Sequence, residues 1–136
     1  MSAAAESARA ILLSRTRFGD SGLIVSWLTD SHGRVDTSAR GALKPGGPFA
    51  GLLDLFRECE ITFARSRSSE LCTLREAVLL RPHDTLGRSA SAIGLAGHFC
   101  ELVRGTTETG HPVPDIHRLL ATALAYLDDH PPTRRA

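Results

Sequence analysis

A chain of 136 residues is long enough for one compact domain, or for a small domain with an appendage. With 42% hydrophobic and 23% charged residues it is not a disordered chain. No uncharged apolar run approaches the ~18–20 residues of a membrane span, and a net charge of +1 argues against a nucleic-acid binder that works by bulk charge alone.

The first ten residues are Ala-rich but carry Glu6 and Arg9 and lack an apolar core, so they do not read as a signal peptide. Cys59, Cys72 and Cys100 are odd in number, widely spaced and without a Cys-x-x-Cys pair. That pattern reads as three buried thiols in a reducing cytoplasm, with neither a disulfide framework nor a zinc knuckle. The charge is unevenly spread. Residues 1–82 hold eleven bases against nine acids, and residues 83–136 hold five against six. Lys44 is the sole lysine; the other bases are arginines, whose planar fork of donors suits phosphate.

The period is two up to about residue 81. Ile11, Leu13, Arg15 and Arg17 alternate with Leu12, Ser14 and Thr16, and Gly19-Asp20-Ser21-Gly22 supplies a turn. Residues 23–29 form a strongly apolar second strand. Asp30-Ser31-His32-Gly33 is the next turn, followed by a third strand over residues 34–42. Lys44-Pro45-Gly46-Gly47-Pro48 breaks the ladder. Alternation then resumes, with Leu55, Arg57, Cys59, Ile61 and Phe63 on one side and Phe56, Glu58, Glu60 and Thr62 on the other. Residues 65–69 turn, and residues 71–80 make a fifth strand. Five strands grouped three plus two across a Pro/Gly-rich connection suit a small closed barrel of OB type, in which closure removes the exposed edges.

Beyond Pro82 the period becomes 3.6. Asp84 or Thr85 is the expected cap of a helix running to about Arg104, with Ala92, Leu95, Phe99 and Leu102 on its apolar face. Residues 105–110 form a loop. Pro112 and Pro114 mark the entry to a second helix, whose Ile116, Leu119, Leu120, Ala123, Leu124 and Leu127 make an unbroken stripe, and His130-Pro131-Pro132 stops it. The expected fold is therefore mainly β with α: a five-stranded OB-type barrel over residues 1–82 and a two-helix extension over residues 83–136.

Candidate chemistry is thin. His98, Cys100 and Glu101 lie close together on a helix without a third ligand or a partner motif. Gly46-Gly47 and Gly19-x-x-Gly22 lack the Lys-Ser/Thr ending of a phosphate loop, and Gly-x-Ser-x-Gly is absent. The remaining histidines fall in turns and helix ends without ligand spacing. No nucleophile, base and orienter come together, so neither catalysis nor a metal or other cofactor is expected.

The meander carries a recognisable text. Phe18-Gly19-Asp20-Ser21-Gly22-Leu23-Ile24-Val25, then Leu28-Thr29-Asp30-Ser31-His32-Gly33-Arg34-Val35, then Ala39-Arg40-Gly41-Ala42 resembles the N-terminal domain of the bacterial recombination mediator family RecO. Leu71-Cys72-Thr73-Leu74-Arg75-Glu76-Ala77 is similar to that family's closing barrel strand. Phe99-Cys100-Glu101-Leu102-Val103, His111-Pro112 and Ile116-His117-Arg118-Leu119-Leu120 are similar to the first helices of its C-terminal domain. The likeness covers roughly residues 8–130, in order. It implies an OB barrel followed by a helical domain, acting without catalysis in recombinational DNA repair in the cytoplasm. Proteins of this kind bind single- and double-stranded DNA, anneal complementary strands, and work with RecR and single-stranded-DNA-binding protein to load RecA. Family members usually continue through more helices, often with a Cys-rich zinc motif, and the likeness here ends after two helices. Bases on the third strand and the loop after it are fewer than the family tends to have, with Asp36 interrupting the row.

On such a barrel, nucleic acid crosses the face of strands two and three, bordered by the loops between strands one and two and between strands four and five. Arg34 and Arg40 share a face by even spacing, Lys44 follows, and Arg65 and Arg67 lie in the loop before strand five. These five are the expected DNA-binding residues, and they are expected to converge; Arg15 and Arg17 are weaker candidates. Trp27 alternates with Leu23 and Val25 and is expected in the core. A second reading is a non-catalytic module that docks RecR or another repair protein with little DNA affinity of its own. The apolar stripe of the second helix, Leu119, Leu120, Leu124 and Leu127, then serves a partner or a homodimer. No membrane partner is expected.

Overall fold

The computed structural model describes residues 4–132. Strands β1 (Ala5–Phe18), β2 (Gly22–Thr29) and β3 (Arg34–Ala39) form an antiparallel meander, and β4 (Glu58–Ala64) and β5 (Cys72–Arg81) form a hairpin. The hairpin closes the meander into a barrel of order β1-β2-β3-β5-β4. β4 runs antiparallel to the first half of β1, and β5 lies parallel to β3 at Thr37 and Ser38. The five-stranded OB-type barrel followed by two helices, expected from the sequence, is present.

Leu12, Val25, Trp27, Ile61 and Phe63 fill the barrel interior. The Trp27 indole is fully buried and donates its Nε1–H to the Thr37 hydroxyl at 3.0 Å, which in turn donates to the Val25 carbonyl at 3.3 Å. A buried indole thus keeps a polar partner, and its place is the core.

Three strand limits differ from the sequence expectation, each for a local reason. β1 begins at Ala5, because its first half is the edge on which β4 pairs. β3 ends at Ala39: Gly41 takes a positive φ, and the Leu43 N–H donates to the Ser21 carbonyl, turning residues 40–43 beside the β1–β2 turn. β4 begins at Glu58, because Phe56 sits at φ 69° and leaves the ladder. The Phe56 N–H donates to the Leu12 carbonyl, while the Leu12 N–H is taken by the Arg57 carbonyl. Leu55 therefore stands outside the barrel instead of on its inner face.

Past the barrel, a 3-10 turn (Leu86–Arg88) precedes α1 (Ala90–Thr106) and α2 (Pro114–Asp129). The cap of α1 is Ser89, whose hydroxyl accepts the Ala92 N–H at 3.2 Å, in place of Asp84 or Thr85. The chain first makes the short turn because Leu86 is fully buried, its N–H donating to the Asp128 carboxylate of α2 at 2.8 Å. The buried face of α1 is Ala92, Ala96 and Cys100, whereas Leu95 and Leu102 are exposed. Small residues let the helix axis approach closely, which the larger apolar side chains do not. On α2, Leu120, Leu124 and Leu127 pack inward with His117, and Leu119 is 70% exposed, so the expected stripe is mostly covered.

The helices cover the outer barrel wall. Ile11, Leu13, Leu28 and Phe56 from the barrel meet Leu86, Ala96, Leu120 and Leu124 in a second apolar core. The α1–α2 loop is pinned to the β2–β3 turn by the Gly110 N–H, which donates to the Arg34 carbonyl at 3.1 Å. Gly33 adopts φ +67°, and a Cβ there would lie 2.0 Å from the His111 carbonyl oxygen, so only glycine fits.

Two histidines are buried at this seam. Burial pushes His83 and His117 below their ordinary value of 6.5. Nearby Asp128 and Glu58 for His83, and Glu58 and Asp30 for His117, act in the opposite sense. The unfolded chain takes up protons near pH 6.5, where the folded chain does not. Stability is therefore complete above that pH and falls as pH drops through the window between 6.5 and the depressed folded values. The slope is at most about 1.4 kcal/mol per pH unit for each histidine. Urea midpoints measured from pH 7.5 to 5.5 are expected to fall, and less steeply in His117→Gln; a flat profile would contradict this account.

Candidate nucleic-acid interface

On β3 the inward side chains Val35, Thr37 and Ala39 are buried, which turns Arg34, Asp36 and Ser38 outward, with Arg40 just past the strand. Across from them on β2 lie Ile24 and Ser26. The Ser26 hydroxyl donates to Asp36 Oδ1 at 2.7 Å. The middle of the β2–β3 outer face thus carries Ile24, Ser26, Ser38 and one carboxylate, and its bases sit at the ends.

At one end, Arg40 is exposed and lines a cleft of about 240 Å³ with Phe18, Ser38 and the β1–β2 turn. Lys44 follows one turn later, its backbone N–H donating to the Gly41 carbonyl at 3.1 Å. It lines a neighbouring cleft of about 230 Å³ together with Arg15. Arg15 itself donates to the Leu53 carbonyl at 2.8 Å, and Arg17 to the Asp20 carbonyl at 3.2 Å. Those contacts fasten the β1–β2 turn and the long connection, which explains both arginines without a ligand.

The other end is different. Arg34 lies six residues from Arg40, about 20 Å along a strand at ~3.3 Å per residue. Its Nη1 donates to the Arg104 carbonyl in the last turn of α1 at 2.6 Å, and its Nε is 3.9 Å from Asp36 Oδ1. Arg65 donates through Nε to the Glu6 carboxylate, which also lies 3.3 Å from His32 Nε2. That hydrogen bond from Arg65, more than any other cause, holds the Glu6 carboxyl below its ordinary range. Arg67 is exposed. Arg40, Lys44 and Arg67 are the members of the expected five whose side chains have no hydrogen bond or ion pair among the described residues. The five bases form two groups along the face instead of one convergent cluster.

One residue of interest escaped the sequence reading. Phe18, the last residue of β1, is 56% exposed and shares the cleft with Arg40. Alternation alone sets Phe18 on the side of Leu12, and the register shift between Leu12 and Ser14 that turns Ser14, Thr16 and Phe18 outward leaves no mark in the spacing.

The thiols offer no nucleophile. Burial pushes Cys100 up to about 12 and Cys59 to about 11, and raises Cys72 as well. Cys100 faces the second core, while His98 and Glu101 are exposed, so the three do not form one site. Among the described residues, no helix is long and apolar enough to cross a membrane.

Arg34 of β3 and Arg40 just past its end should separate by experiment. Arg34→Ala removes a charged donor from the end of α1 and is expected to cost about 1–2 kcal/mol. Arg40→Ala, at an exposed position without a partner, is expected to change stability by less than ~0.5 kcal/mol. Thermal unfolding of the two variants checks this, and equal melting temperatures would remove the structural role assigned to Arg34.

Comparison with known proteins places this architecture. Residues 1–83 match the family model described as Recombination protein O N terminal, which ends where the barrel gives way to the helices. Over 126 residues, 93% of the chain, it is 33% identical to the DNA repair protein RecO of Pelobacter propionicus, covering 51% of that protein. The DNA repair protein RecO of Rhodopirellula baltica is 30% identical over 119 residues, 88% of the chain and 44% of its own length. That of Geobacter sulfurreducens is 31% identical over 119 residues, 88% of the chain and 48% of its own. The chain spans about half the length of the curated relatives it matches, and the likeness runs through the helices as well as the barrel. It belongs to the recombination protein O family.

Proposed function

We propose that this protein acts without catalysis in cytoplasmic recombinational DNA repair, binding single- and double-stranded DNA independently of sequence along the outer face of β2 and β3. In this role it assists strand annealing and, with RecR and single-stranded-DNA-binding protein, the loading of RecA. The observation that carries the reading is the placement of Arg40 and Lys44. Both are exposed and unpaired, one turn apart, at the β1–β2 end of the face on which an OB barrel takes nucleic acid. Arg67 adds a third unpaired cation from the β4–β5 loop. Arg34 and Arg65 contribute to the field while held by Arg104 and Glu6.

Three phosphate contacts on a single strand predict that log K falls with log[salt] with a slope of about −2. Fluorescence anisotropy with labelled oligonucleotides of two unrelated sequences, over a salt series, measures it. Equal affinities and that slope are expected, with the slope reduced in Arg40→Ala/Lys44→Ala. A slope near zero, or strong preference for one sequence, would overturn the reading.

A specific observation favours a protein-docking role beside this one. Phe99, Leu102, Val103, Ile116, Leu119, Leu120 and Ala123 line an apolar groove of about 350 Å³ between α1 and α2. RecR, another repair protein or a second copy of the chain through α2 are the occupants this reading considers. Because Leu119 is largely exposed, Leu119→Glu is expected to leave folding intact and abolish association seen by sedimentation, alone or with purified RecR. Sedimentation unchanged by the substitution would remove the groove from the account.

A further inference from the structure

Phe18 ends β1 directly opposite Gly22, the first residue of β2, which offers no side chain to cover the ring. Of the phenylalanines, Phe49, Phe56 and Phe63 are buried in the two cores, whereas Phe18 is 56% exposed. Exposure of one aromatic ring is unremarkable by itself. Its setting is what matters. The ring borders a cleft of about 240 Å³ whose other walls are the β1–β2 turn, Ser38, Ala39, Arg40 and Gly41. The space beside the turn is open, since a Cβ built on Gly19 would meet nothing within 4 Å. The cleft therefore joins one aromatic face, one unpaired guanidinium and the polar groups of Asp20, Ser21 and Ser38.

An apolar side chain of a partner protein would find a single ring among polar neighbours. A flat heteroaromatic ring carrying its own hydrogen-bonding edge matches the Phe18 face, Ser21 and Ser38, and an adjacent negative charge matches Arg40. The Asp20 carboxylate in the same wall accepts from base N–H groups and keeps the phosphate on the Arg40 side. We propose that Phe18 and Arg40 form a subsite for one unstacked nucleobase, the ring stacking on the base while the guanidinium takes the neighbouring phosphate. This rests on the DNA-binding reading above and deepens it, because bases stacked and paired within a duplex cannot present a face to Phe18. The subsite makes the barrel favour single strands, whereas Lys44 and Arg67 contact phosphates of either form.

The test uses the full chain, a labelled single-stranded oligonucleotide and a blunt duplex of the same sequence. Stacking on an aromatic side chain is worth about 5- to 150-fold in affinity per base. Phe18→Leu, at an exposed position that keeps an apolar side chain, is expected to weaken single-strand binding by that factor and change duplex binding less than twofold. Phe18→Trp is expected to retain affinity, and its added fluorescence to be quenched by the single strand but not by the duplex; the buried Trp27 provides the unquenched background. If Phe18→Leu weakens both forms alike, or neither, the subsite is overturned. Should Arg40→Ala weaken both forms while Phe18→Leu weakens neither, the phosphate account stands and the stacking inference alone falls. Failure of the unaltered protein to bind either oligonucleotide would overturn both.

Discussion

β1 has to satisfy two cores at once, and the rest of the molecule is arranged around that demand. Leu12 points into the barrel, whereas Ile11 and Leu13 point outward into the core shared with the helices. The β1–β2 register shifts between Leu12 and Ser14, and at that point the backbone of Leu12 bonds to the long connection instead of to a ladder partner, donating to Arg57 and accepting from Phe56. The positive φ of Phe56 is the local cost, about 1–2 kcal/mol for a non-glycine residue. Its ring then drops into the outer core, where burying a side chain of that size returns roughly 1.5–3 kcal/mol. The strain is held because Leu12 fixes the backbone on one side and the helices cover the ring on the other.

The same arrangement decides which face of the barrel is free. Leu86, Ala96, Leu120 and Leu124 close the wall built on Ile11, Leu13 and Leu28, leaving the outer face of β2 and β3 between the β1–β2 turn and the α1–α2 loop. Two anchoring points hold the helices at its border. The Arg34 guanidinium meets the last turn of α1, where a cation complements unsatisfied carbonyls, and Gly33 lets the α1–α2 loop approach the β2–β3 turn. A net charge of +1 is compatible with such a face, because local charge near the β1–β2 turn, and not the molecular total, sets the potential that a ligand meets.

The sequence made the barrel legible wherever one strand face is wet or the alternation is long: β2, β3 and the Cys59-Ile61-Phe63 series all have the expected facing. It was least legible where burial is two-sided. Ile11-Leu12-Leu13 is a continuous apolar run, and periodicity alone does not say that a second core lies outside it. Phe56 reads as one more alternating residue because a positive φ leaves no mark in apolar spacing. The face of α1 was misjudged for a related reason. Large apolar residues weigh most in a pattern, yet close approach to the barrel selects Ala92, Ala96 and Cys100, and Leu95 and Leu102 remain outside. At the candidate site, residue types and loops were readable from spacing. Partners were not: Arg104 is seventy residues from Arg34, and Glu6 fifty-nine from Arg65.

Those partners constrain the path that DNA takes under the proposed reading. With Arg34 and Arg65 engaged by the protein, the unpaired members of the five candidate bases, among the described residues, are Arg40 and Lys44 at one end and Arg67 in the β4–β5 loop. Asp36 stands between the ends, fixed by the Ser26 hydroxyl and shadowed only at 3.9 Å by Arg34. A phosphate placed over the middle of the face would meet that carboxylate in surroundings drier than bulk water, where like charges repel more strongly. In that reading phosphates are steered to the rim, and bases, which are neutral, pass over the centre. Ile24 and Ser38 are half-buried there and carry no charge. The carboxylate that interrupts the basic row thus does not argue against nucleic acid. Under the proposed reading it orients the strand, turning its bases inward along the face that leads to Phe18.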